Sequence, residues 1–257
     1  ISATVIYGKG FDEITVAEMT AQIVRELKQA GRDVSDEDIA VIAKTIMDTK
    51  LSDADQAMCD NLYDMIDALP KFGNDIEDVD ALARDAAYTY TKPVEKYKNP
   101  RGGMFQAGVY PVSANVPLGG QTGATPDGRL AHRPVADGVS PSSGKDVHGP
   151  TAAANSVAKL DHGIASNGTL FNQKFHPSAL SGEEGLNNFV SLIRSYFDQK
   201  GMHMQFNVVS RETLLDAQQH PENYKHLVVR VAGYSALFTT LSRSLQDDII
   251  ARTEQGF

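Results

Sequence analysis

The stretch Leu227-Val228-Val229-Arg230-Val231-Ala232-Gly233-Tyr234-Ser235-Ala236-Leu237-Phe238 decides how this chain is read. Leu227 to Val231 is apolar and rich in β-branched residues, which predicts a strand broken at Gly233. On spacing alone, Gly233 is a turn glycine placed where the backbone needs a positive φ. Its flanks Val229, Val231, Ala232, Ala236, Leu237 and Phe238 are apolar, so the loop is expected to lie in a protein interior. Arg230 and Tyr234 stand beside the glycine. Spacing leaves two roles open for them, positioning the loop or plain packing and surface cover.

Working outward, helices and strands alternate after Pro150. Helices are expected over 151–160, 183–199, 211–219 and 242–253, and strands over 169–175, 203–209 and 227–231. That alternation predicts an α/β architecture with at least some parallel strands. From Asn99 to Pro150 the chain is rich in Gly, Pro, Ser, Thr and Asp, with an apolar strand expected near Phe105 to Pro111. Leu118 to Arg129 is too glycine-rich for helix or sheet; interleaved Leu118, Leu130, Val135 and Val139 predict an ordered loop. The first hundred residues read as helices. Thr15 with Glu18 makes a capping-box pattern, Gly31 offers a C-cap, and Ser35 and Ser52 open two more helices. A fourth helix runs from about Asp78 to Pro93, with Val79, Leu82, Ala83 and Ala86 as its inward stripe.

Composition narrows the function. The 257 residues carry 24 Lys+Arg against 33 Asp+Glu, a net charge of −9 without a dense basic cluster, which argues against a nucleic-acid surface. No apolar run is long enough to span a bilayer, so no membrane partner is expected. Cys59 is the sole cysteine, so no internal disulfide can form and a reducing compartment is the default. Ile1 opens an apolar strand-like run without an initiator Met, which reads as a chain entered partway.

Several patterns that look chemical have plainer meanings. Ser156-Val157-Ala158-Lys159 has the S-x-x-K spacing of penicillin-binding nucleophiles but lacks the companion elements, so two polar residues on one helix face are expected. Asn167-Gly168-Thr169 reads as a turn. Asp161, His162 and His203 lack metal-ligand spacing, so structural roles and no metal are expected. The glycines at 119–128 lack the ending of a phosphate-binding loop, and Cys59, on an amphipathic helix, reads as a structural thiol.

Arg230-Val231-Ala232-Gly233-Tyr234 resembles the C-terminal motif of the glycyl radical enzymes, the family of pyruvate formate-lyase. Further segments resemble that family in the same order. They include Tyr110 to Pro117, Ala124 to Arg129, Asp137 to Pro141, Gly149 to Ala152, Ser156 to Leu160, Gln205 to Val209 and Gln246 to Thr253. The resemblance implies the C-terminal portion of the family's α/β barrel with a helical N-terminal segment and a glycyl radical loop. Residues 1–129 would belong to the catalytic domain and 130–257 to the glycine radical domain. It makes Gly233 the catalytic residue, with Arg230 and Tyr234 positioning its loop. A Cα radical is stable when flat and delocalised into both flanking amides, and glycine has no Cβ to crowd that geometry.

By the same resemblance no cofactor is permanently bound. An iron–sulfur activating enzyme using S-adenosylmethionine would install the radical, and the glycyl radical would oxidise a cysteine to the thiyl that attacks substrate. The family's Gly-Cys-Val-Glu type loop is absent from these residues, and Cys59 has the wrong context, so the chain alone is expected to be inactive. The run through Phe171 to Pro177 and Gly201 to Gln205 resembles the branch holding choline trimethylamine-lyase, the B12-independent glycerol and propanediol dehydratases and isethionate sulfite-lyase. Cleavage of the C–N bond of choline stands first, with diol dehydration, sulfite elimination or an autonomous glycyl-radical cofactor as alternatives. A non-catalytic binding domain is the remaining reading. The family further implies a homodimer and a cytoplasmic, oxygen-free setting, a bacterial microcompartment being one such place.

Overall fold

A computed structural model describes residues 20, 21, 23–25, 27, 28, 31, 34–48 and 61–257. The chain forms two compact units, Ile1–Leu69 with Gly119–Arg133, and Pro70–Leu118 with Pro134–Phe257.

In the first unit, α1 (Asp36–Asp48) starts where Ser35 predicts it. Ser35 Oγ accepts the Asp38 N–H at 3.2 Å while the Asp38 carboxylate accepts the Ser35 N–H at 3.0 Å, a reciprocal cap. Gly31 closes the helical residues before it at φ +75°, its N–H donating to Lys28 O at 3.0 Å. Residues 61–67 are helical and end before Pro70. Thr15, Glu18, Ser52 and Cys59 lie outside the described residues. The glycine-rich loop is ordered, as expected, but chiefly by polar contacts. The Arg129 guanidinium donates to the carbonyls of Gly123, Leu130 and Arg133, and His132 Nδ1 meets Gly120 O at 2.7 Å.

The second unit runs α2 (Glu77–Val94), the first four residues of α3 (Asn115–Gly120), α4 (Pro150–Ala158), β1 (Asn172–Phe175), α5 (Gly182–Asp198), β2 (Gln205–Val208), α6 (Arg211–Gln219), β3 (Val228–Arg230), β4 (Ser235–Leu237), α7 (Arg243–Ala251) and β5 (Glu254–Gln255). The α/β expectation holds: β2, β1 and β5 make a parallel sheet in that order, and β3–β4 is an antiparallel hairpin. Three expectations need correction. Phe105 to Pro111 forms no strand; only Val109 bridges Thr169. The short α3 falls partly in the stretch read as too glycine-rich for helix. On α2 the buried positions are Asp80 and Thr91, and Leu82 is 71% exposed. Charge decides that last face, because Lys159 on the chain after α4 meets Asp75, Glu77 and Asp80 at 2.7, 3.0 and 2.8 Å. Burial works against the lysine's charge, but the three carboxylates outweigh it and hold its pKa above the ordinary value. Ser156 Oγ accepts the Asp75 N–H, so the S-x-x-K pair is structural.

Two apolar clusters hold this unit. Phe171, Phe175, Leu192 and Tyr196 pack with Val157 and Ala153 in the first. Val229, Val231 and Phe238 of the hairpin region pack with Leu214, Leu245 and Ile249 in the second. Between them the sheet turns a polar face inward. Asn172 and Lys174 on β1 stand in register with Gln205 and Asn207 on β2, so strand alternation puts all four on one side.

Lys174 is 1% exposed, and its Nζ donates to Ile250 O at 3.0 Å, in the last turn of α7 where carbonyls lack helical partners. Burial pulls its pKa down from 10.5 to about 8, with Glu254 opposing. Below pH 8 folded and unfolded chains both hold the proton and the burial cost is fully present. Between pH 8 and 10.5 the unfolded chain holds more protons, so stability rises with pH. We predict that wild type gains about 3 kcal/mol relative to Lys174→Met across that window in denaturant titrations. A constant difference between the two proteins would contradict the buried, destabilised charge.

Candidate functional site

The β3–β4 hairpin pairs Arg230 with Ser235, and the turn between them is closed by the Val231 N–H donating to Tyr234 O at 2.9 Å. Gly233 is the second of the two residues between Val231 and Tyr234 and has φ +84°, in the left-handed region that favours glycine. Val229, Val231, Ala232 and Phe238 are buried as expected. Gly233 itself is exposed and Leu237 is 39% exposed, against the expectation of an interior loop. Alternation explains it: the strands send Val229 and Val231 inward, which leaves the turn's tip and the opposite face outward.

The polar side of the sheet grips this hairpin. The Asn207 amide acts as a missing strand, accepting the Arg230 N–H at 2.8 Å and donating to Arg230 O at 2.7 Å. Gln205 Oε1 accepts the Gly233 N–H at 3.1 Å and an Arg230 guanidinium N–H at 3.2 Å. Gln205 Nε2 donates to Asn172 Oδ1, and Asn172 Nδ2 donates to the Asp137 carboxylate and to Val231 O, the latter at 3.2 Å. Arg252 donates to the same Val231 carbonyl at 2.9 Å, and meets Asp137 at 3.2 Å and Asp248 at 3.1 Å. Asn115 Nδ2 donates to Asp248 at 3.2 Å. Burial raises the Asp248 carboxyl, with Arg252 pulling the other way.

Of the residues singled out from the sequence, the structure brings Gly233, Arg230 and Tyr234 into one turn. Arg230 reaches Gln205 and Ser235, and half-buried Tyr234 packs on the second apolar cluster. Sequence reasoning missed Gln205, Asn172, Asp137 and Arg252 as site residues. The signal for Asn172 and Gln205 was polar residues on strands otherwise expected to be buried; Asp137 and Arg252, which lie outside the strands, carried none. His162 pairs both ring nitrogens, with Thr169 Oγ1 and Val157 O, each at 2.9 Å. His203 Nδ1 accepts the Phe171 N–H at 3.3 Å, and burial together with Arg230 lowers its pKa, which favours the neutral ring. His176, Glu212 and Glu254 put ligand atoms within 4.8 Å of one another. His176 Nδ1 already accepts the Ser178 N–H, and Glu254 accepts the Arg211 N–H.

Residues 135–239, which include this turn and most of the network, match the family model described as Glycine radical, and residues 23–119 match that described as Pyruvate formate lyase-like. The chain belongs to the glycyl radical enzymes. It is 64% identical to a structure described for 1,2-propanediol dehydration in Roseburia inulinivorans, with a TM-score of 0.95 over 98% of this chain and 30% of that one. The glycerol-bound B12-independent glycerol dehydratase of Clostridium butyricum is 59% identical, with a TM-score of 0.76 over 85% of this chain and 27% of that one. The trans-4-hydroxy-L-proline dehydratase of Clostridioides difficile is 46% identical over 73% of this chain and 24% of that protein. The chain thus spans about a quarter of that curated relative, and its mixed helix and sheet form a portion of the glycyl radical enzyme fold. Among the described residues no helix is long and apolar enough to cross a membrane.

Removing Arg252 would leave Asp137 and Asp248 buried without their shared cation. We predict that Arg252→Met lowers unfolding stability by about 3–5 kcal/mol in denaturant titrations, and that adding Asp248→Asn recovers part of the loss. A change under about 1 kcal/mol, as is common for surface pairs, would show that the trio is solvated.

Proposed function

We propose that this chain is the radical-storing segment of a glycyl radical dehydratase acting on a small vicinal diol, with Gly233 as the radical residue. One observation carries the reading: within the segment matching the Glycine radical family, Gly233 sits at a turn where buried Gln205 holds its N–H and buried Arg252 holds the Val231 carbonyl. The likeness to the propanediol and glycerol dehydratase structures supports a diol over choline, which the sequence resemblance put first. Arg230 and Tyr234 then hold the loop, one through Gln205 and the other by packing.

The chemistry that follows is a relay of one hydrogen atom. The activating enzyme, using S-adenosylmethionine and an iron–sulfur cluster, removes a hydrogen atom from the Gly233 Cα. The glycyl radical takes the thiol hydrogen of a cysteine, giving Gly233 back its hydrogen and leaving a thiyl. The thiyl abstracts hydrogen from the hydroxylated carbon of the diol. Water leaves, and the resulting carbonyl radical recovers the hydrogen from the thiol as the aldehyde product. Cys59 is the only cysteine in these residues, so the thiyl is assigned to protein beyond them. The exposed side of Gly233 is then the face that the rest of the enzyme covers.

The test uses the full-length enzyme, activated without oxygen. We expect a doublet EPR signal, chain cleavage at Gly233 on exposure to air, and conversion of 1,2-propanediol to propanal. Gly233→Ala should lose all three. A persistent radical in that variant would overturn the site, and trimethylamine from choline in place of propanal would overturn the substrate class.

A further inference from the structure

The hydrogen bonds around Gly233 have a fixed direction. Asn172 places its NH₂ between two acceptors, the Asp137 carboxylate and Val231 O, which leaves its Oδ1 facing Gln205. Gln205 must therefore offer its NH₂ to Asn172, and its Oε1 is left for the donors Gly233 N–H and Arg230. The run from the Asp137 carboxylate to the Gly233 N–H polarises in one sense, because each amide that donates to a stronger acceptor becomes a better acceptor itself. Gln205 is buried at the start of β2, and its register partner on β1 is Asn172. Its side chain therefore has little freedom to turn away.

This arrangement constrains what a radical at Gly233 would look like. In a delocalised Cα radical the half-filled orbital stands perpendicular to the flanking peptide planes, and the amide nitrogen donates into it. At φ +84° the closed-shell turn is not yet flat, so one of those planes must rotate. The two planes before Cα are tethered, Val231–Ala232 through the carbonyl held by Arg252 and Asn172, and Ala232–Gly233 through the N–H held by Gln205. The Gly233–Tyr234 plane is held less directly, through the next carbonyl, Tyr234 O, which accepts the Val231 N–H, so the rotation falls there.

We propose that Gln205 is the positioning residue for the Gly233 radical. By pinning the Ala232–Gly233 peptide plane it sets the direction of the half-filled orbital. By accepting the N–H it raises electron density on nitrogen and favours donation into that orbital. Arg230, on the same oxygen, keeps Gln205 in place. The inference rests on Gly233 as the radical residue, and the experiment separates the two.

Full-length wild type, Gln205→Met and Gln205→Glu are activated anaerobically and compared by EPR, ENDOR and steady-state kinetics. Methionine keeps the length and loses the acceptor; glutamate in its acid form keeps an acceptor toward Gly233 and a donor toward Asn172 Oδ1. Gln205→Met should show a smaller nitrogen hyperfine coupling and about tenfold lower kcat per spin, the size of one lost hydrogen bond, with KM unchanged. Gln205→Glu should keep the wild-type coupling or exceed it. Gln205→Met with unaltered coupling and kcat per spin would overturn the proposal. If Gln205→Met is insoluble, soluble Gln205→Glu decides: a weakened nitrogen coupling there overturns it, and a retained one supports it. Absence of any doublet in wild type would instead count against Gly233 as the radical site.

Discussion

A parallel strand pair with a polar inner face is the constraint on which the rest of this site depends. Asn172, Lys174, Gln205 and Asn207 are committed to one side by alternation, and a buried face of amides must find partners. The hairpin supplies them with its own backbone: Arg230 N–H and C=O to Asn207, Gly233 N–H to Gln205, Val231 O to Asn172. The hairpin is thus attached through side-chain amides where a further ladder strand would have used backbone groups. Its register is fixed by residues that cannot slip by one position without losing every bond.

The ionic trio beneath it follows from the same need. Asp137 and Asp248 are both buried and both face Arg252, which also reaches Val231 O. Desolvation makes such a cluster a poor source of net stability compared with a well-packed apolar one. Its value here is directional. The guanidinium and the Asp137 carboxylate orient Val231 and Asn172, and through Asn172 they orient Gln205. Lys174, two residues along β1, binds the end of α7, the helix that carries Asp248 and leads into Arg252. The cost of burying these charges is offset by two apolar clusters that do not depend on them.

Much of this was legible in the chain. The helix near 183–198 was plain from its amphipathic spacing, which buries one stripe, and the α6 span 211–219 was read correctly as a short helix. Gly233, Arg230 and Tyr234 were marked by their motif. The α2 face was misread because hydrophobicity pointed to Leu82, whereas Lys159 selects the carboxylate side and leaves Leu82 exposed. The short strands β4 and β5 went unseen because two or three residues carry no period. Gln205, Asn172, Asp137 and Arg252 could not be joined from sequence, since each is ordinary alone: register pairs Asn172 with Gln205, and only tertiary packing brings Asp137 and Arg252 to them.

The exposure of Gly233 sharpens what glycine means at this position. A Cβ placed there would meet only Leu170 Cδ1, at 3.6 Å, an ordinary contact, so packing does not exclude a side chain. The positive φ does disfavour one, by roughly 1–2 kcal/mol for alanine. That is small beside the apolar clusters and the amide grip, neither of which involves a side chain at 233. Gly233→Ala should therefore fold almost as wild type does. Gly138 is the contrast: its φ is +64° and a Cβ would lie 2.4 Å from Leu170 O, so there the fold itself demands glycine. At 233 the demand for glycine comes from the backbone conformation alone, and the flat, delocalised radical proposed for this residue would add a second reason for a missing Cβ.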